Sequence, residues 1–330
     1  MKYNFITIGG ATRDISFFTD RGILVDNKKD ILQQKLLAFE YGAKIKVDKF
    51  YYSYGGGASN AAVCLANLGF KTACLASIGE DETGKLIKEN LKLNNVDYSL
   101  IKTYKTEDSG SSFILVTHGG ERIIFGARGA NQKLELNHRD IKALKKTQNI
   151  YLSSLSGSWA EVLKEVFFIV GKNKIDIYWN MGGRQIEAGV KKLSPFLKQT
   201  TVLALNKDEA IELVMSSPEH KKLGDAYLNN VDHLLEIIKS FGPEIVVVTL
   251  GGDGVAIYDG GKKYRYKNVN GKKRVDTTGV GDAFNSTFAG AYSYYQDIDK
   301  AAKLALKNTA SKVAHLGAQN GLIKKSLIKK

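Results

Sequence analysis

A doubly wound α/β fold, with a mostly parallel central sheet flanked by helices and a small β-lid, is what this sequence predicts. Three observations carry the prediction. Residues 245–250 (IVVVTL) form a continuous run rich in β-branched residues, as in a parallel strand covered on both faces. From residue 60 onward, short apolar runs alternate with longer amphipathic ones, the rhythm of strand–helix units. Two stretches, 14–54 and 110–128, break that rhythm with aromatic-rich segments and a glycine-turned hairpin.

In chain order, residues 5–8 read as the first strand, 58–68 (ASNAAVCLANL) as a mostly buried helix, and 71–77 as a strand. Residues 84–93 form an amphipathic helix. Residues 112–117 and 122–125 flank His118-Gly119-Gly120-Glu121, a hairpin signal. Strands are expected at 149–152, 175–179 and 202–205, and helices at 209–215, 231–240 and 283–295. No proline- or serine-rich linker divides the 330 residues, so a single domain is expected over 1–330. The extra segments at 14–54 and 110–128 can form a lid over the carboxyl ends of the sheet strands, where α/β folds bind ligands. A plain edge extension is the alternative.

Apolar residues make up 43% of the chain, enough for a full core, and the net charge is +14. The lysines are scattered, with short clusters such as Lys145-Lys146 and Lys272-Lys273-Arg274. That pattern predicts a solvated surface that attracts anionic small molecules, and no nucleic-acid partner. Cys64 and Cys74 lie in apolar runs and read as reduced core residues. No apolar run approaches the ~20 residues of a membrane helix. Met1-Lys2-Tyr3-Asn4 leads directly into the first strand, so a cytoplasmic protein with no membrane partner is expected.

The densest chemistry lies in Arg274-Val275-Asp276-Thr277-Thr278-Gly279-Val280-Gly281-Asp282-Ala283-Phe284. Two glycines and a carboxylate stand where a loop becomes a helix. Backbone N–H groups at such a start attract anions, and glycine lets phosphate oxygens approach. Asp282 is out of place in a pure phosphate cradle but suits a base facing an incoming hydroxyl. Anion hole plus base suggests phosphoryl transfer.

Weaker signals surround it. Asp14 lies just beyond the first strand, placed for sugar hydroxyls or for a turn. Gly55-Gly56-Gly57 precedes the helix carrying Ser59 and Asn60, and reads equally as a ligand approach or a hinge. Asn206 and Glu209 could organise a hydrated Mg²⁺, although taken alone a capping box is the stronger reading. Thr249-Leu250-Gly251-Gly252-Asp253-Gly254 follows the IVVVTL strand as a nucleotide loop or a plain turn. No GxxxxGK[ST] loop or dinucleotide fingerprint is present.

Together these segments resemble the ribokinase-like (PfkB) carbohydrate kinase family. GGGASNAAVCLANLG at 55–69 is similar to its first signature and DTTGVGDAF at 276–284 to its second. Blocks at 77–97, 117–131, 204–210 and 249–254 fill the interval in order. The resemblance implies an ATP-dependent, Mg²⁺-requiring sugar kinase. Asp282 would be the base, with Gly279, Val280 and Gly281 as the anion hole. Asp14, Gly56, Gly57 and Asn60 would line the sugar site. Asn206, Thr249, Gly251, Gly252, Gly254 and Asn308 would serve the nucleotide, and Glu209 the Mg²⁺ through water. Asp276 and Thr278 match positions that bind a monovalent cation such as K⁺ in many relatives. Ribose kinases tend to carry Lys where this chain has Gly57, which weakens the expectation of ribose. Aromatics at 14–54 could stack on a nucleobase, which keeps nucleoside kinases open. A catalytically silent ligand-binding regulator is the remaining alternative. Arg184 could touch phosphate or lie idle on the surface. Lid strands in the family often mediate dimers, so a homodimer is expected.

Overall fold

In the computed structural model, residues 2–19, 21–27, 35–116, 122–269, 274–325 and 327 are described. The hairpin turn predicted at 118–121 and the Lys272-Lys273 pair lie outside them. The strands of the first part are β1 (Tyr3–Ile8), β2 (Thr12–Phe18), β3 (Ile23–Asp26), β4 (Lys35–Ala38) and β5 (Lys49–Gly55). Next come β6 (Thr72–Leu75), β7 (Ser77–Gly79), β8 (Lys102–Tyr104), β9 (Ser111–Val116) and β10 (Arg122–Ala127). The remaining strands are β11 (Thr147–Leu152), β12 (Asp176–Trp179), β13 (Val202–Asn206), β14 (Ile245–Thr249), β15 (Val255–Tyr258) and β16 (Lys263–Tyr266). The helices are α1 (Gly57–Asn67), α2 (Glu82–Leu93), α3 (His138–Leu144), α4 (Trp159–Asn173), α5 (Gly183–Glu187) and α6 (Val190–Leu197). They continue with α7 (Lys207–Met215), α8 (Asp225–Leu228), α9 (Val231–Ser240), α10 (Val280–Tyr295) and α11 (Ile298–Lys312).

The central sheet runs β16-β15-β14-β13-β12-β11-β1-β6. It is parallel from β14 to β6, and β15 and β16 add an antiparallel edge. Both faces of its strands are apolar, and the side chains alternate between two cores. Ile6, Ile150, Ile177, Leu203 and Val246 join α3, α4, α7 and α9 on one side. Phe5, Tyr151, Tyr178, Val202 and Val247 join α1, α10 and α11 on the other. This two-sided burial is why IVVVTL is apolar throughout rather than alternating. The doubly wound prediction therefore holds.

Two sequence-level boundaries differ. The strand expected over 71–77 divides at Ala76: β6 joins the central sheet, whereas β7 pairs with β8. The carbonyl of Ala76 accepts the Lys102 amide there, turning the chain toward β8. The helix expected from 283 begins at Val280, so Asp282 lies within its first turn, at the helix start where the sequence places it.

A second sheet, β10-β9-β2-β5, draws strands from both segments that broke the α/β rhythm. The chain enters it from β1 through Gly9-Gly10-Ala11 and leaves it into α1 through Gly55-Gly56. Its two faces differ. Asp14, Ser16 and Ser53 are buried on one. Phe50, Tyr52, Phe113 and Phe125 are exposed; the registers Ile15↔Tyr52, Ile15↔Phe113 and Phe113↔Phe125 put three of them on the other face. Tyr51 is in register with Ser16 and so shares Asp14's face.

Candidate active site

Two helices start on glycines at this junction, and neither has a side-chain cap. Gly56, before α1, has φ 84° and Gly279, before α10, has φ 71°, both values that side chains resist. At α1 the orphan amides are answered within the protein: Ala58 and Ser59 donate to the Gly10 carbonyl at 3.1 and 3.3 Å. A Cβ at Gly56 would stand 2.5 Å from that carbonyl oxygen. At α10 the Val280 amide closes a turn onto Thr277 at 3.3 Å. Gly281 is exposed, and a Cβ added there would meet nothing within 4 Å among the described residues. The start of α10 thus opens onto space, in the geometry that favours anions.

Asp282 stands in that first turn. Asn60 Nδ2, from α1, donates to its Oδ2 at 2.7 Å. Gln319 Nε2 in turn donates to Asn60 Oδ1 and Ser59 Oγ, each at 3.0 Å, and Asn90 donates to Gln319 at 2.8 Å. This chain of amides fixes which way Asn60 points and holds the carboxylate. The other carboxylate oxygen, Oδ1, faces Gly57, 3.7 Å from where a Cβ would be. A side chain at 57 would also strike Ser153, whose Cβ and Oγ would lie at 2.8 and 2.9 Å. Gly57 therefore keeps the approach to Asp282 clear.

Asp14 comes from the second sheet. It is 4% exposed and accepts Thr12 Oγ1 at 2.8 Å. Burial pushes its carboxyl above the usual range; hydrogen bonds from Thr12 and Ser112 oppose this, and the charges of Asp282 and Asp276 add to it. Asp282 is thus electrically close to Asp14. Asn131 braces the same turn by exchanging 3.0 Å hydrogen bonds with the amide and carbonyl of Ala11.

Where β13 meets α7, Asn206 and Glu209 form the capping box: Asn206 N donates to Glu209 Oε2 at 2.9 Å, and Glu209 N to Asn206 Oδ1 at 2.8 Å. Glu209 is half-buried, and its carboxyl is pushed up to about 7. Burial is the main cause; the charges of Glu212, Asp282 and Asp208 add to it, while the Asn206 amide pulls the other way. Asp282 is therefore felt at Glu209 as well as at Asp14. Among the described residues, no group of three or more His, Cys, Asp or Glu is placed to hold a metal. One carboxylate with an amide beside it fits a Mg²⁺ that keeps its waters, not a caged ion.

Thr249 ends β14, and Gly251-Gly252-Asp253 turns at the surface beyond it. Asn268 Nδ2 holds the Gly251 and Gly252 carbonyls at 2.7 and 3.0 Å. Side chains at 251 and 252 would meet little, the nearest atom being the Arg274 guanidinium at 3.9 Å from a Cβ at 252. Gly254 differs: its φ is 101°, and a Cβ would lie 2.0 Å from the Tyr266 carbonyl, so it serves the fold.

Other expected residues fall elsewhere. Asn308 is fully buried; it donates to Thr287 Oγ1 at 2.7 Å and accepts from the Ile323 amide at 2.8 Å. Its carboxamide ties helices together, which corrects its assignment to the nucleotide. Arg184 is exposed on the short α5. Asp276 is buried, its carboxylate accepting the Thr278 and Gly317 amides at 2.8 and 2.7 Å. The Thr278 hydroxyl is buried and makes no hydrogen bond. Phe50 and Tyr52 cannot stack on a ligand held by Asp14, because strand alternation turns them to the opposite face. Sequence reasoning missed Gln319 and Ser153, neither of which stands in a recognisable motif of its own, and the bracing role of Asn131, which ends the 117–131 block.

The chain matches the pfkB family of carbohydrate kinases over residues 26–325. It is 29% identical over 259 residues to an uncharacterized sugar kinase of Archaeoglobus fulgidus, covering 78% of this chain and 97% of that one. It is 28% identical over 284 residues to the ribokinase of Haemophilus influenzae, covering 85% and 88%. Among solved structures, the ribokinase of Arabidopsis thaliana complexed with ribose and ATP superposes with a TM-score of 0.78 at 21% identity, covering 98% and 96%. A Burkholderia thailandensis nucleoside kinase in complex with inosine gives 0.75 at 16%, covering 96% and 94%. With an open glycine-led helix start holding Asp282, and a family match across most of its length, the chain belongs to the pfkB family of carbohydrate kinases and has the ribokinase-like fold.

Proposed function

We propose that the protein transfers the terminal phosphoryl group of ATP to a primary hydroxyl of a sugar, with Asp282 as base. The observation that carries this is the placement of Asp282: in the first turn of an open helix start, oriented by Asn60 and facing Gly57. Asp14, Gly56, Gly57 and Asn60 form the sugar side, beneath the second sheet acting as a lid. Thr249, Gly251 and Gly252 line the nucleotide, and Gly254 shapes their turn. The +14 surplus favours an anionic cosubstrate.

Asp282 aligns the sugar hydroxyl and accepts its proton as the O–H bond yields to an O–P bond. The bond from the γ-phosphorus to the ADP oxygen breaks, and ADP leaves with that electron pair. The transition state is loose, so alignment and charge stabilisation outweigh base strength. The Gly281 backbone and the dipole of α10 receive the phosphoryl oxygens. Glu209 and Asn206 would hold a hydrated Mg²⁺, which supplies charge neutralisation on the phosphates.

The exposed apolar face of the second sheet, with Phe50, Tyr52, Phe113 and Phe125, supports a homodimer formed through it. We further assign the protein to the cytoplasm; no helix among the described residues is long and apolar enough to cross a membrane. Tyr51, on Asp14's face, supports a second reading in which the sugar belongs to a nucleoside.

An acceptor panel with Mg-ATP, read by ADP release, tests the proposal. ADP release with at least one free sugar is expected. Release with nucleosides alone transfers the assignment to the second reading. Ligand binding without transfer to any hydroxyl would leave a silent binding protein.

A further inference from the structure

The resemblance to ribokinase-like kinases assigns a monovalent cation to Asp276 and Thr278, and the structure places a lysine there. Lys312 is the last residue of α11 and is fully buried. Its Nζ donates to the Asp276 carbonyl at 3.0 Å and the His315 carbonyl at 3.4 Å, and lies 3.8 Å from Asp276 Oδ2. Two backbone carbonyls and a carboxylate are the oxygen donors a hard cation seeks. Here they surround an ammonium group.

The same region supports the anion hole. The Val275 and Asp276 amides donate to the Val313 carbonyl at 2.9 and 3.2 Å. A Cβ on Gly279 would lie 2.4 Å from Ala318 Cβ, so the 312–318 segment packs directly beneath the start of α10. Lys312 draws the Asp276 and His315 carbonyls onto one positive centre. Burying an ammonium is expensive unless it is paired and hydrogen-bonded, and this one is both. A positive charge in such dry surroundings also acts more strongly on a nearby phosphoryl group than one in water.

We propose that Lys312 is a built-in monovalent cation: its ammonium takes the place of K⁺ beside the anion hole, and the enzyme works without an added alkali ion. Lys312 is a positioning residue in this account, which rests on the phosphotransfer reading above. Asp276 then serves as the anchor for a side chain rather than as a metal ligand.

The test compares Na⁺, K⁺, NH₄⁺ and tetramethylammonium at constant ionic strength, reading turnover with Mg-ATP and, separately, thermal unfolding. The wild-type protein should show the same kcat and the same midpoint in all four. Lys312→Ala opens the position, and K⁺ or NH₄⁺ should raise its kcat by a factor typical of coupled sites, roughly 5–150-fold, and raise its midpoint. Lys312→Met fills the position without charge; its turnover should fall and K⁺ should not restore it. Activation of the wild-type protein by K⁺ would overturn the proposal. So would full turnover in Lys312→Met, or a folded Lys312→Ala indifferent to K⁺ in both readouts. If neither variant folds, the wild-type comparison decides. If no acceptor is phosphorylated, the phosphotransfer reading fails, while the unfolding midpoints still report whether K⁺ enters the opened site.

Discussion

The starts of α1 and α10 use the same local grammar and reach opposite ends. Each follows a glycine at positive φ, each lacks a side-chain cap, and a hydrogen bond from Asn60 to Asp282 ties one first turn to the other. At α1 the first amides are taken by the Gly10 carbonyl, so the helix start is a closed hinge between the two sheets. At α10 the corresponding surface is open at Gly281, and a carboxylate stands in the first turn. A glycine-led helix start is therefore not a phosphate site by itself. What distinguishes the two is the space at the first turn: a Cβ at Gly56 or Gly57 would strike the protein, whereas one at Gly281 meets nothing among the described residues. Asn60 and Asp282 join the two starts, so the closed one orients the open one.

If that contrast is correct, substitutions at α10 should damage chemistry and those at α1 should damage the fold. Asp282→Asn has the largest expected effect: kcat should fall by at least ~10²-fold, the low end for a general base, while nucleotide affinity survives. Turnover near the wild-type level would end the base assignment. Next comes Glu209→Gln, expected to cost about 10–100-fold in activity or Mg²⁺ affinity, as for other groups that orient a metal. Because burial raises the Glu209 carboxyl to about 7, it is protonated at lower pH and becomes a carboxylate only as pH rises through that value. Activity limited by Mg-ATP should rise with pH across this window in the wild-type protein, and Mg²⁺ should pull the midpoint lower. A Gln variant that keeps the same rising limb would remove Glu209 from the nucleotide side.

Gly56→Ala moves the comparison to the closed start. A Cβ there collides with the Gly10 carbonyl at a positive φ, so unfolding free energy should drop by about 1–3 kcal/mol. Denaturant unfolding measures this, and an unchanged midpoint would contradict the hinge. The smallest effect belongs to Gln319→Ala, which removes one donor from Asn60 and should cost about 1 kcal/mol in stability with a modest loss of turnover. A loss as large as that of Asp282→Asn would mean that Gln319 does more than orient Asn60.

The sequence made some of this legible and hid the rest. The glycines and carboxylate of 279–282 are contiguous, so their joint meaning could be read locally. The two-faced strands were legible because burial on both sides leaves an unbroken apolar run. Gln319, by contrast, meets Asn60 across 259 residues, and no local pattern announces such a contact. Asn308 misled because a polar residue late in a kinase-like chain looks like a ligand contact; only tertiary burial reveals it as a core tie. Asn206 and Glu209 remained ambiguous for a physical reason. The capping box forms, and the same geometry leaves a half-buried carboxylate that feels the charge of Asp282. The expectation that aromatics of 14–54 stack on a ligand does not separate Tyr51 from Tyr52, whereas strand alternation turns them to opposite faces.

The central claim is that α10 keeps its start open for a phosphoryl group. Gly281→Ala tests it most directly, with thermal stability and turnover measured on the same sample. The added Cβ meets nothing within 4 Å among the described residues, and alanine favours a helix, so the unfolding midpoint should hold or rise. The methyl group would stand where phosphoryl oxygens approach the backbone, and a displacement of that size should lower kcat by about 10²-fold. A stable Gly281→Ala protein with wild-type turnover would contradict the account.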